Sequence, residues 1–319
     1  MKAILVFVFL TVGTCAMAQQ VNYRILSDDP ENVKAFSLSL EPFYCDLYPL
    51  DLHMGYSVRA DLLFLKRMEL RADFRRAYLD INGQETNTTE YYPKNGAKFA
   101  TYGEAGFSLF LTDKLRSTEV KLVLSSRSYG DYTFTRYIMV PATKRKMWGV
   151  RGGMYNNRVA YEMNGTDSFF VMKGTNDTET PAVDNTVTMV NTSCLYGGLH
   201  WKSIVDLVAS TDYGTRKVGK MADFYIDFLF APVVAFGDVR SPGGVSEFSL
   251  KAKPDNIKRM GWRAGWAYRH PNKVGMCYKL EFGARPGFRS SDKPKFLTER
   301  SFMMFTFGIN IPAIKKKKD

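Results

Sequence analysis

Histidine and cysteine are scarce in this sequence. Only His53, His200 and His270 occur, in no H-E-x-x-H or similar arrangement, so neither a metalloprotease helix nor a structural zinc site is expected. Of the four cysteines one is Cys15, in the leader described below, and Cys45, Cys194 and Cys277 are too scattered to give metal-ligand spacing or a disulfide framework. Beyond the N-terminus no apolar run approaches the ~20 residues of a membrane-spanning helix. The nearest, FYIDFLFAPVVAFG at 224–237, is interrupted by Asp227 and Pro232. No Ser- or Pro-rich spacer splits the chain and no fixed-period repeat runs through it, which argues against two domains or a solenoid.

What is present begins with MKAILVFVFLTVGTCAMAQQ: Lys2, an apolar run from Ala3 to Val12, then Ala16-Met17-Ala18. This is the pattern of a secretory signal peptide cleaved after Ala18. The residues before Cys15, Val12-Gly13-Thr14, make a poor lipidation box. The organisation read from the sequence is a signal peptide at 1–18, a β-barrel domain at 19–314 and a basic tail at 315–319. The formal net charge is +12. In an exported chain that balance points to anionic lipid head groups or acidic glycans and away from nucleic acid.

Residues 67–76 read RMELRADFRR. A helix would set Arg67 on Arg71, Glu69 on Asp73 and Arg71 on Arg75, three like-charge i, i+4 pairs costing roughly 0.2–0.5 kcal/mol each. A strand instead gathers Glu69, Arg71, Asp73 and Arg75 on one face and Met68, Leu70, Ala72 and Phe74 on the other. The same alternation recurs. Phe107, Leu109 and Leu111 oppose Glu104 and Ser108; Trp148, Val150 and Met154 oppose Arg145 and Arg151. Trp262, Trp266 and Tyr268 oppose Arg263 and Arg269, and Phe305, Phe307, Ile309 and Ile311 oppose Thr306 and Asn310.

These amphipathic runs reach about ten residues, the ~9–11 of a tilted bilayer-crossing strand rather than the ~5–6 of a soluble sheet. Polar connections at 82–96, 164–191, 212–220, 238–247 and 287–300 read as long loops, whereas Leu65-Lys66 and Arg127–Gly130 read as tight turns. The fold class expected is all-β, a single antiparallel transmembrane β-barrel with about fourteen strands, between twelve and sixteen, and its long loops on one side. Apolar faces would meet lipid and charged faces a lumen, since an outward Arg at mid-depth costs roughly 2–4 kcal/mol.

The succession YGEAGFSLFLTDK (102–114), YIMVPATKRKMWGVRGGMY (137–155), ADFYIDFLFAP (222–232) and KLEFGARPGFR (279–289) resembles the outer-membrane β-barrel proteins common in Bacteroidota-type bacteria. The resemblance is one of texture over most of the mature chain. The Asn-Pro-Ala start of type IX secretion accessory barrels is absent, and the chain runs past Ile311 into Lys315–Lys318 instead of ending on an aromatic residue. The class implies an outer-membrane location and a monomeric pore, scaffold or secretion accessory. Its implied partners are outer-membrane lipid and periplasmic or secretion-system proteins, with no nucleic acid.

No catalytic set and no cofactor site is assigned. His200 and Ser203 lie in GLHWKS with Asp206 following, but in a strand residues three apart point to opposite faces. GVRGGMY (149–155) lacks phosphate-loop spacing, and its glycines suit strand curvature or room for a neighbouring side chain. The lumen-facing candidates are Glu69, Arg71, Asp73, Arg75, Glu104, Arg151, Arg263 and Arg269, with Arg145, Asp223 and Asp227 beside them. They would line a water-filled pore or pair densely enough to plug it. Two further readings stand beside the non-enzymatic barrel: an outer-membrane enzyme acting on lipid or lipid A through His200 or His270 and a nearby serine, and a soluble exported β-sandwich binding acidic glycans. In a sandwich Phe107, Leu109, Trp262 and Phe305 would face a core; in a membrane barrel they would face out.

Overall fold

The computed structural model describes residues 21–47, 51–64, 66–82, 91–94, 99–163, 168–172, 179–182, 186–241, 246–288 and 301–313. The leader, most of the 82–96 and 287–300 connections and the basic tail lie outside them.

Alternating residues at 36–47, 51–64 and 68–82 produce the first long strands. In chain order β1 is Tyr23–Asp28, β2 Phe36–Leu47, β3 Asp51–Phe64, β4 Met68–Asn82, β5 Tyr92–Pro93 and β6 Thr101–Tyr129. Then come β7 (Tyr132–Met163), β8 (Ser168–Met172), β9 (Glu179–Pro181), β10 (Thr186–Thr211), β11 (Gly214–Phe236), β12 (Val239–Arg240) and β13 (Glu247–Ala252). The last are β14 (Ile257–Lys258), β15 (Met260–Arg269), β16 (Gly275–Ala284), β17 (Gly287–Phe288) and β18 (Ser301–Pro312). The described residues contain no α-helix, only a 3-10 turn at Pro254–Asn256.

Ten strands form a closed antiparallel barrel in the order β10-β11-β15-β16-β18-β2-β3-β4-β6-β7, shut by pairing of β7 with β10 from Thr186↔Met163 to Cys194↔Tyr155. β1 lies outside the ring, paired to the other end of β10 at Leu207–Thr211. The expectation of fourteen strands is therefore corrected to ten plus one. Two features of the chain explain the difference. β6 and β7 run 29 and 32 residues, each using chain that two ordinary crossings would need. The polar stretch 212–220, read as a long loop, is instead a turn at Asp212–Tyr213 followed by the start of β11, whose two faces are both wet there and so lose the alternation signal.

The connections differ between the two ends, although at the long-loop end β2 and β3 are separated only by residues 48–50. At one end β3–β4, β6–β7, β10–β11 and β15–β16 are joined by short turns, with Gly130 (φ +56°) and Gly214 (φ +95°) supplying the left-handed backbone that tight hairpins require. At the other end the chain between β4 and β6, β7 and β10, and β11 and β15 contributes a small five-stranded sheet, β5-β12-β13-β8-β9. Phe170, Val239, Leu250 and Phe288 pack there with Val190 of β10, so the long-loop end carries its own apolar cluster.

Below the barrel on the short-turn side β6 continues past Leu109, its last residue paired with β4 (at Met68), and β7 returns beside it. A register shift between Phe110 and Thr112 sets the hairpin off from the barrel wall. Val120, Leu122, Val140 and Ala142 of this hairpin pack on Val205, Leu207, Ala209 and Val218 of the β10–β11 hairpin.

Candidate functional site: the charge-filled interior

Strand alternation sends odd-numbered residues of β3, β4, β7, β11, β15 and β16 and even-numbered residues of β6, β10 and β18 inward over the barrel. All eight residues singled out from the sequence, Glu69, Arg71, Asp73, Arg75, Glu104, Arg151, Arg263 and Arg269, have buried side chains. Arg145, Asp223 and Asp227 are buried too, and so are Glu41, Arg59, Asp61, Lys202, Lys279 and Glu281, which the sequence reading did not single out. The missed six occupy inward positions on β2 (Glu41), β3 (Arg59 and Asp61), β10 (Lys202) and β16 (Lys279 and Glu281).

These side chains pair from strand to strand and across the interior. Toward the short turns, Arg71 donates to Asp61 (2.7 Å) and Glu69 (3.0 Å), while Arg269 also holds Asp61. Lys202 bridges Glu69 and Asp223, the latter at 3.0 Å, and Arg59 reaches Glu41 at 3.3 Å. In the middle Arg75 lies 2.6 Å from Asp73 and 3.1 Å from Glu281, and Lys279 bridges the same two carboxylates at 3.0 and 3.1 Å. Toward the long loops Arg263 clamps Glu104 with its two Nη atoms and Asp227 with its Nε (2.7 Å), and Arg151 contacts the same two acids at 3.1 and 3.3 Å.

Aromatic rings fill the space between these pairs. The Arg75 guanidinium stands 4.2 Å from the Tyr102 ring centre and that of Arg151 stands 3.9 Å from Tyr225. Tyr102 donates its hydroxyl proton to Glu104 (2.6 Å) and Tyr225 donates to Glu281. Phe110, Met147, Ile204 and Met221, with Val33 and Leu63 against them, form an apolar layer toward the short turns. Tyr155, Cys194, Tyr196 and Leu229 form another toward the long loops. Cys45, Cys194 and Cys277, the cysteines among the described residues, are free thiols.

Buried carboxylates and cations are nearly equal in number. Among the described residues nine Asp and Glu and ten Lys and Arg are buried, and the extra cation, Arg145, is held at 2.6 Å by the partly exposed Asp113. The interior is thus electrically balanced, which is the condition for burying so many charges without several kcal/mol of unpaired desolvation per ion. A ten-stranded ring is also only slightly wider than the eight-stranded barrel whose lumen side chains just fill.

His200 has a pair of partners that sequence adjacency did not suggest. Its Nδ1 lies 2.9 Å from Ser108 Oγ and its Nε2 lies 3.1 Å from Asp223 Oδ1, so serine, imidazole and carboxylate stand in line. Ser203 and Asp206 are not its partners. The imidazole and carboxylate have no exposed surface and Phe110 packs on the ring at 5.1 Å. In chemical terms the line can relay a proton between its members, but it offers an acyl group no approach. His53, by contrast, pairs with Asp80 (2.7 Å) near the long-loop end. His270 sits in the β15–β16 turn. No group of three or more metal-ligating residues occurs among the described residues.

Phe107, Leu109, Trp262 and Phe305 all stand on the outer face of the closed sheet and are exposed there, as are Leu70, Phe74, Phe224, Phe228 and Ile309. A sandwich that buried those faces in a core is not this architecture.

No family model matches the chain, and no curated protein matches it. Among solved structures, in-vitro folded OmpT, an outer membrane protein of Vibrio cholerae, aligns over 90% of this chain and 99% of its own with 10% identity and a TM-score of 0.19. A loop L8 deletion mutant of that protein aligns over 87% and 99% with 11% identity and a TM-score of 0.19. The barrel assignment rests on the strand ladders of this chain.

Proposed function

We propose that this chain is a monomeric, non-enzymatic integral outer-membrane β-barrel whose interior is plugged by its own ion pairs, so that it serves as a scaffold and not as a passive pore. The observation that carries the reading is the inversion of the two faces of one sheet, apolar and exposed outside, charged and buried inside. Water would leave the outer belt unsatisfied as a protein surface, since contiguous apolar patches beyond a few hundred Å² mark an interaction surface or a membrane.

The belt also has a suitable height. On β7 the outer face carries Trp148, Val150, Gly152, Met154 and Asn156 between Lys146 and Arg158, and Arg76 lies in the same row as Arg158 by way of Thr101. Twelve residues of strand at about 3.3 Å each, tilted by about 45°, rise about 28 Å, close to the ~25 Å apolar band of such barrels. The long-loop end with its small sheet would face outward from the cell, and the short turns, β1 and the end of β18 would face the periplasm.

The test is fractionation followed by planar-bilayer recording. Recovery only in detergent and an absence of conductance steps are expected. A soluble periplasmic pool would reject the membrane assignment, and an ohmic conductance whose ion preference moves with Arg71→Glu would replace the plug with a pore.

A further inference from the structure

Directly beneath the apolar belt, on the face of the β6–β7 ladder that carries Trp148 above and packs through Ala142 and Val140 on the β10–β11 hairpin below, four cations form a block. Lys114 stands opposite Lys146 and Arg116 opposite Lys144 in successive same-face rows of the ladder. Like charges directly opposite each other destabilise an antiparallel pair. Here two such pairs are stacked, Lys114, Arg116 and Lys146 are exposed, and none of the four makes an ion pair among the described residues. The adjoining carboxylate, Asp113, is turned to the other face and engaged twice by Arg145, at 2.6 and 2.8 Å. The chain therefore carries an uncompensated patch of positive charge that its own fold does not use.

The row above the patch on the same face is Thr112 opposite Trp148, with Leu111, Leu109 and Val150 next to it, all apolar and exposed. Cations in a block of two rows, roughly 5 Å by 7 Å by strand spacing and rise, are within span of one phosphodiester or a close pair of them. A Trp and aliphatic side chains directly above offer the surface along which an acyl chain would lie.

We infer that Lys114, Arg116, Lys144 and Lys146 form a binding site for the head group of an anionic phospholipid in the leaflet on the short-turn side, with its acyl chain against Trp148 and Leu111. A soluble acidic partner would not need the apolar row, and a neutral lipid would leave the two like-charge pairs unrelieved. The inference rests on the membrane reading above and adds a ligand class and a site to it.

The test uses the full chain purified in a non-ionic detergent and titrated separately with phosphatidylglycerol and phosphatidylcholine, with bound lipids counted by native mass spectrometry. Phosphatidylglycerol should bind on the order of tenfold more tightly, as a few basic residues at a membrane surface allow. The preference should vanish in a Lys114→Gln/Arg116→Gln/Lys144→Gln/Lys146→Gln variant and fall partway in Arg116→Gln/Lys144→Gln, which guards against misfolding of the fourfold change. Glycerol phosphate and polyglutamate, which lack the acyl chain, should not displace the lipid at equal concentration. Equal binding of the two lipids, a preference that survives the fourfold variant, or displacement by polyglutamate would each overturn the inference. Failure of the membrane reading would show itself separately, as a protein that stays in solution once detergent is removed.

Discussion

Arg263 and Glu104 meet across the barrel interior: Nη2 donates to Oε1 at 2.6 Å and Nη1 donates to Oε2 at 2.8 Å, although β15 and β6 are not neighbours in the sheet. A two-pronged fork of this kind fixes both distance and orientation, so it ties opposite walls together. Because Arg263 also holds Asp227, its removal leaves two buried carboxylates to share the single cation Arg151.

Arg263→Ala is therefore expected to cost about 3–5 kcal/mol, the range for removing one partner of a buried ion pair. The double change Arg263→Met/Glu104→Gln should lose much less, since neither partner is then an orphaned charge. Urea midpoints of the detergent-solubilised proteins, read by tryptophan fluorescence, check the ranking. Equal losses in the two variants would mean the clamp contributes packing alone.

The inward glycines make room for rings. A methyl group on Gly265 would overlap the Tyr225 ring, whereas at Gly103, on the outer face, it would meet nothing within 4 Å. Gly265→Ala should cost roughly 1–3 kcal/mol through overpacking, and Gly103→Ala should stay within about 0.5 kcal/mol of the parent. The same unfolding measurement, with the two variants side by side, decides whether the interior is as closely filled as its contacts indicate.

How much of this could be read from the chain follows from the range of each signal. In RMELRADFRR a period of two is local, so the separation of Glu69, Arg71, Asp73 and Arg75 from Leu70 and Phe74 is visible in ten residues, and the structure has the charged set buried and Leu70 and Phe74 exposed. The number of strands was not legible, because nothing local announces that β7 runs on for 32 residues through the barrel wall and beyond it. Partners in the interior were not legible either. Ser108 and His200 are 92 positions apart, and only the closing of the ring brings β6 and β10 to the same depth.

That same pair gives a clean test of the enzymatic alternative. Ser108, His200 and Asp223 have the order of a nucleophile, base and orienting acid, but an acyl substrate would have to displace the apolar layer of Phe110 and Met147 to reach them. Ester and lipid deacylation assays on the parent protein should show no turnover above buffer. Ser108→Ala should cost about 0.5–1.5 kcal/mol of stability, the worth of one hydrogen bond. Hydrolysis that disappears in Ser108→Ala would make the interior a catalytic site after all.

The last expectation concerns acid. Outside the barrel, in the β15–β16 turn, His270 Nδ1 accepts the backbone N–H groups of Asn272 (3.3 Å) and Lys273 (3.2 Å), which only the unprotonated nitrogen can do. Burial, aided by Lys273 and Lys217, pushes its pKa down from 6.5 to about 4. In the unfolded chain the imidazole takes up its proton near pH 6.5, while the folded chain resists until about pH 4. Between those values the unfolded state binds more protons, so the contribution of His270 to stability is complete above pH 6.5 and is lost as the pH falls toward 4. His270→Gln has no such titration. The difference between parent and variant urea midpoints should therefore shift against the parent on going from pH 7.5 to pH 4.5. A difference that stays constant with pH would mean that the turn does not hold the imidazole neutral.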